Sequence, residues 1–108
     1  MKCVYVNVDG DAKTVELDSD KNEIAQFLGG AALAFAGAWD DCEIVALQLV
    51  ASQSSHLPEN TFTLPDQQQR QLGNGGIVFV KMDQNINPVD FDLRDYRARF
   101  FHSNVASP

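Results

Sequence analysis

The sequence predicts an α+β domain: a mixed, mainly antiparallel sheet of four to five strands with helices on one face, in the order β-β-α-β-loop-β-α. Three observations carry this expectation. Apolar residues alternate in two short runs on either side of Asp9-Gly10-Asp11, the period and punctuation of a β-hairpin over residues 2 to 18. Ile24, Phe27 and Leu28 recur at helical spacing directly after Asp20 and Glu23, which fit a helix start. GIVFVKMD, residues 76 to 83, alternates once more in the second half of the chain.

In the first run, Val4, Val6 and Val8 fall on one side and Cys3, Tyr5 and Asn7 on the other; in the second, Val15 and Leu17 face together. A lone hairpin is marginal in water, so it needs a covering layer. The helix expected from Lys21 supplies it, and Gly29-Gly30 should end or bend that helix. The small-residue run AALAFAGAW that follows reads as a second set of helical turns, closed by Asp40 and Asp41. EIVALQLV, residues 43 to 50, is apolar on both sides and reads as a central strand.

Residues 51 to 75 contain both Leu-Pro pairs, three consecutive glutamines and a glycine-rich end, and read as one long connection with a short strand over residues 61 to 64. After the 76-to-83 strand, Asn85 to Pro88 marks a turn. Asp92 and Asp95 then open a final helix of about ten residues whose stripe is Leu93, Tyr96 and Phe100. Residues 1 to 102 thus form a single domain, and 103 to 108 a flexible tail.

The composition narrows the function classes. The net charge is −7, and the first fifty residues hold three Lys against nine Asp or Glu. Sequence-independent nucleic-acid binding draws its energy from cations displacing counterions, so DNA and RNA are not expected partners. Residues 24 to 39 carry a single polar side chain, Gln26, yet are too short and too glycine-rich for a membrane span. The acidic start lacks a signal-peptide core, which reads as an intracellular location. Cys3 and Cys42 lie within apolar segments and read as free buried thiols, a disulfide between them being the alternative where the first strand lies beside the segment that starts near Cys42.

Chemistry-bearing residues are few. Cys3, Cys42, Ser52, Ser54, Ser55, His56 and His102 are the candidate nucleophiles and bases, and His56 in the SSH stretch is the best catalytic candidate. Asp9, Asp11, Asp18 and Asp20 cluster around the hairpin, but without the spacing of a calcium loop; turn formation and helix capping account for them, so neither metal nor cofactor is expected. Arg94 and Arg97 share a helix flank beside Tyr96 and Phe100. Arginine and aromatic residues anchor interfaces, so Arg94, Tyr96, Arg97 and Phe100 are the candidate binding residues, for a protein partner or a second subunit.

The FLGG of residues 27 to 30 after a hairpin, Leu57-Pro58 and Leu64-Pro65, the GIVFVKMD strand and residues 88 to 93 together give the chain a resemblance. It resembles small viral and phage proteins from families of unknown function, over about half of its length. The resemblance implies an origin in a large DNA virus or its algal or protist host, and no activity. The expected function is a small acidic, non-enzymatic interaction or regulatory module; the alternative is a small hydrolase or ligand-binding enzyme using His56 and acids of the 51-to-75 loop.

Overall fold

The computed structural model describes residues 1–18, 21–39, 43–60 and 74–100. Among the described residues six strands and three helices follow one another: β1 (Lys2–Val6), β2 (Ala12–Glu16), α1 (Lys21–Leu28), β3 (Leu33–Trp39), β4 (Ile44–Leu49), α2 (Ala51–Ser54), β5 (Ile77–Met82), β6 (Pro88–Val89) and α3 (Leu93–Phe100). The sheet runs β2-β1-β5-β4-β3, with β6 on β5, and every pairing is antiparallel. The α+β class and the mainly antiparallel sheet expected from the sequence are what the chain adopts.

The β1–β2 hairpin forms where the alternation put it. Asn7 closes its turn: the Asn7 side-chain oxygen accepts from the Asp9 and Asp11 N–H groups at 2.9 and 3.0 Å. α1 ends in the paired bonds of a Schellman cap, Gly30 N–H to Ala25 C=O at 2.9 Å and Gly29 N–H to Gln26 C=O at 3.0 Å. Gly29 holds φ at +100°, a conformation that suits glycine.

Beyond that cap the expectation of further helical turns fails. Leu33–Trp39 is an edge-side strand paired along its length with β4, and a bulge between Phe35 and Gly37 shifts its register. Alanine favours helix, but intrinsic propensity is a weak prior. As a strand, this segment buries Ala36 and Trp39 against β4 and its neighbours. The Gln53 side-chain oxygen fixes the approach by accepting from the Ala31 and Ala32 N–H groups at 2.7 and 2.9 Å.

The helices also do not share a face. One core joins Val4, Val6, Ala36, Trp39, Ile44, Ala46, Ile77, Phe79, Phe91 and Tyr96, and α3 covers it. The other joins Cys3, Leu17, Ile24, Ala25, Leu28, Val45, Leu47, Leu49, Val78 and Val80, and α1 covers it. β4 and the first four residues of β5 are buried on both sides, the property of strands sandwiched between layers. The result is a helix, a sheet and a helix in three layers, with six strands where four to five were expected.

The sixth strand is the short β6, in the region read from sequence as a turn. It pairs with Lys81 and Met82 on the edge of β5 that β1 occupies farther along, so β6 lies end to end with β1. Phe91 N–H then donates to the Lys2 carbonyl at 2.9 Å, and Lys2 N–H to the Asp90 carboxylate at 2.9 Å, steering the chain onto the α3 face. The short strand read over residues 61 to 64, together with Asp20, Asp40, Asp41, Cys42, His102 and the tail, lies outside the described residues.

Candidate functional site

α3 is the element on which the candidate surfaces converge. Its start is held by two side chains. Asp92 accepts from the Asp95 N–H at 2.9 Å as a helix cap, and the Thr14 hydroxyl accepts from the Leu93 N–H at 2.8 Å. The hydrogen bond from the Asp95 backbone, with help from the Arg94 and Lys2 charges, holds the Asp92 carboxyl below its ordinary pKa despite some desolvation.

The helix is pinned through its aromatic side. Tyr96 is 2 % exposed and meets Phe79 edge-on at 5.0 Å between ring centroids, while Phe100 meets Trp39 at 5.2 Å and Tyr96 at 5.3 Å. Such pairs contribute on the order of 0.5–1.5 kcal/mol each beyond their buried area. The four residues singled out from sequence therefore divide: Tyr96 is buried, Phe100 half-buried, and Arg94 and Arg97 are exposed. Neither arginine makes a salt bridge among the described residues, where Lys81–Glu43 at 3.7 Å is the ion pair formed.

The other flank of α3 borders a cleft of about 290 Å³. Its lining joins the buried Ile44 and Phe91 to Glu43, Lys81, Asp95 and Arg99, two carboxylates and two cations, with Ala98 beside them. The Arg99 guanidinium lies 5.0 Å from the centroid of the Phe100 ring. The hairpin between β5 and β6 projects from the same end of the sheet. Its loop is locked by the Asp83 carboxylate, which accepts from the Asn85 and Asn87 N–H groups at 2.8 and 2.9 Å. Those backbone hydrogen bonds, Asn87 first, hold Asp83 below the ordinary carboxylate range. At the tip Ile86 adopts φ of +64° and is 76 % exposed.

His56 is exposed in the turn after α2. It follows the C-terminal end of β4, whereas the cleft sits at the N-terminal end, roughly 17 Å away along the strand. The structure thus does not bring His56 to the cleft. Ser54 is buried; Ser52 and Ser55 are exposed. Burial pushes the Cys3 thiol up to about 11, with the N-terminal ammonium acting weakly the other way, so Cys3 is a protonated core residue at neutral pH. Among the described residues no three His, Cys, Asp or Glu side chains converge as metal ligands, and no helix is long and apolar enough to cross a membrane.

Sequence reading missed the cleft and the strained tip. The cleft draws on residues 43–44, 81 and 91–99, which only the β4–β5 register and the β6 crossover bring together. For Ile86 one local signal exists: a β-branched residue between two asparagines inside a turn, where a left-handed position favours Asn or Gly.

No curated protein and no solved structure matches the chain. Residues 4–99, which span β1 to the last turn of α3, match the Family of unknown function (DUF5880), and the chain belongs to that family.

Proposed function

We propose that the protein is a non-enzymatic interaction module that engages a protein partner through the outer flank of α3. The supporting observation is the pair Arg94 and Arg97: exposed, three residues apart and hence neighbours on one helix side, free of salt bridges among the described residues, and carried by a helix anchored through Tyr96 and Phe100. A fixed backbone lowers the ordering cost of binding. Guanidinium groups bind carboxylates with two parallel hydrogen bonds, so the partner surface carries Asp or Glu. The net charge of −7 opposes an acidic partner only weakly, because physiological salt screens the repulsion of charges that lie beyond about 8 Å from the contact. An intracellular location, the host cytoplasm for a viral protein, belongs to the same reading and is supported by the resemblance to small viral and phage proteins.

The test compares wild type with the double variant Arg94→Glu/Arg97→Glu in crosslinking followed by mass spectrometry inside the native cell. Both side chains are exposed, so stability should change by no more than about 0.5 kcal/mol. The reading expects crosslinks from α3 to an acidic segment of a partner, reduced about tenfold or more in the double variant. Equal crosslinking by both proteins, or none by wild type, overturns it.

A further inference from the structure

We infer, resting on the reading of Arg94 and Arg97 above, that the partner's acidic segment is extended and adds to the sheet as a strand on the outer edge of β2.

The ladder of the first hairpin fixes which backbone groups that edge offers. Leu17 N–H donates to the Met1 carbonyl and Asn7 N–H to the Asp11 carbonyl, both at 2.9 Å. In an antiparallel pair, bonded positions alternate with positions whose backbone groups point away. Val15 opposite Cys3 and Lys13 opposite Tyr5 are therefore bonded, and Ala12, Thr14 and Glu16 turn three N–H and three C=O groups outward. Among the described residues β2 pairs with β1 alone.

Natural edges are blunted by proline, bulges or lysine. Residues 12 to 16 hold no proline and their register with β1 is unbroken. The ammonium of Lys13 lies 5.9 Å from the centroid of the Tyr5 ring, on the α1 face of the sheet. Glu16 stands across from Lys2, which offsets its charge.

The arginines select the charge of the added strand. The Thr14 hydroxyl holds the Leu93 N–H at 2.8 Å, so α3 starts over β2 and runs inward to Trp39 and Phe79, which Phe100 meets. Helical side chains tilt toward the helix N-terminus, here the β2 edge, and Arg94 and Arg97 lean that way. Neither makes a salt bridge among the described residues, and the nearby Asp92 carboxylate is engaged by the Asp95 N–H. Every second residue of an added strand faces α3. The partner segment thus carries Asp or Glu at alternate positions toward the guanidinium groups, with apolar residues between them over Val15. Main-chain bonds supply the affinity and the alternate side chains the specificity.

Amide hydrogen exchange of the full chain, resolved by residue with NMR, tests this. The probes are the end-blocked peptide Thr-Glu-Val-Glu-Val-Glu-Thr and its counterpart with Lys in place of Glu. At about 1 mM the acidic peptide should slow exchange at the Ala12, Thr14 and Glu16 N–H groups about fivefold or more, while Lys13 and Val15, already bonded to β1, stay as they were. Arg94→Glu/Arg97→Glu should weaken binding of that peptide about tenfold or more. Glu16→Pro removes one outward N–H where an edge tolerates proline, and should weaken it too, although loss of the Glu16 charge by itself favours an acidic peptide. The exchange pattern of wild type needs neither variant to fold. Equal slowing by the lysine peptide, no slowing by the acidic one, or slowing that the double-glutamate variant leaves intact overturns the added strand. An acidic peptide that binds through Arg94 and Arg97 without slowing the three amides also overturns it, yet leaves the α3 reading standing, which crosslinking in the cell judges.

Discussion

The hydroxyl of Thr14 accepts the N–H of Leu93 at 2.8 Å, tying the edge strand β2 to the first turn of α3 across seventy-nine residues of sequence. The first N–H groups of a helix have no partner within the helix, so a side chain that supplies one stabilises the helix start. Thr14→Val keeps the shape and the β-branching but leaves the Leu93 N–H to water. The change should lower stability by about 0.5–1.5 kcal/mol. Chemical denaturation should show a lower midpoint with an unchanged slope, since the compactness of the two states is unaltered.

Gly29 marks where the sequence pattern and the fold agree most closely. The conformational demand at Gly29 is separable from packing, because a Cβ there meets nothing within 4 Å. Gly29→Ala therefore carries only the left-handed backbone penalty, of about 1–2 kcal/mol. A D-alanine at the same position, introduced by chemical synthesis, should restore the wild-type melting temperature. If L-alanine matches glycine in stability, the capping account of this junction is wrong.

Such junctions explain what was legible in the sequence. Val4, Val6, Ile77 and Phe79 alternate with Cys3, Val78 and Val80, and these two sets are the two cores. Leu93, Tyr96 and Phe100 likewise face inward as their spacing implies. The same alternation held the clue to helices on both faces: strands apolar on both sides need cover on both sides. The strand Leu33–Trp39 was hidden because alanine writes no period, and its bulge breaks the alternation between Phe35 and Gly37. The candidate surfaces were legible only in part. Arg94 and Arg97 are neighbours by helical spacing alone, whereas the cleft depends on strand register and on the path of residues 88 to 91, which no local pattern encodes.

Each of the two cores holds one acid whose burial makes stability fall at alkaline pH. Burial pushes Cys3 up to about 11 and Tyr96 up to about 12, so the folded chain keeps protons that the unfolded chain releases at ordinary thiol and phenol values, near 9.0 and 10.0. Where the unfolded state binds fewer protons, stability falls with rising pH. The contribution of both groups is therefore complete below about pH 9 and is lost as pH climbs through 11 and 12. Urea midpoints measured from pH 8 upward should decline progressively from about pH 9. Tyr96→Phe should flatten the part of the decline above pH 10; an unchanged profile would show that Tyr96 ionises freely.

The strain at Ile86 has a consequence for stability. Its φ of +64° places a β-branched side chain where a left-handed residue costs about 1–2 kcal/mol, and with 76 % of its surface exposed the side chain recovers little of this by burial. Ile86→Gly relieves the strain but gives back part of the gain, because glycine loses more backbone freedom on folding. The net effect should be stabilising, by about 0.5–1 kcal/mol, with a rise of roughly 2–8 °C in melting temperature. Ile86→Asn should stabilise in the same direction, since asparagine tolerates the conformation, while Ile86→Val keeps the branch and should leave stability within about 0.5 kcal/mol of wild type. This ranking reports backbone strain, since the substitutions differ in how readily each residue adopts a positive φ. Should glycine and asparagine both destabilise, the Ile86 side chain must be supporting the hairpin, and the strain would have a structural use within the single chain.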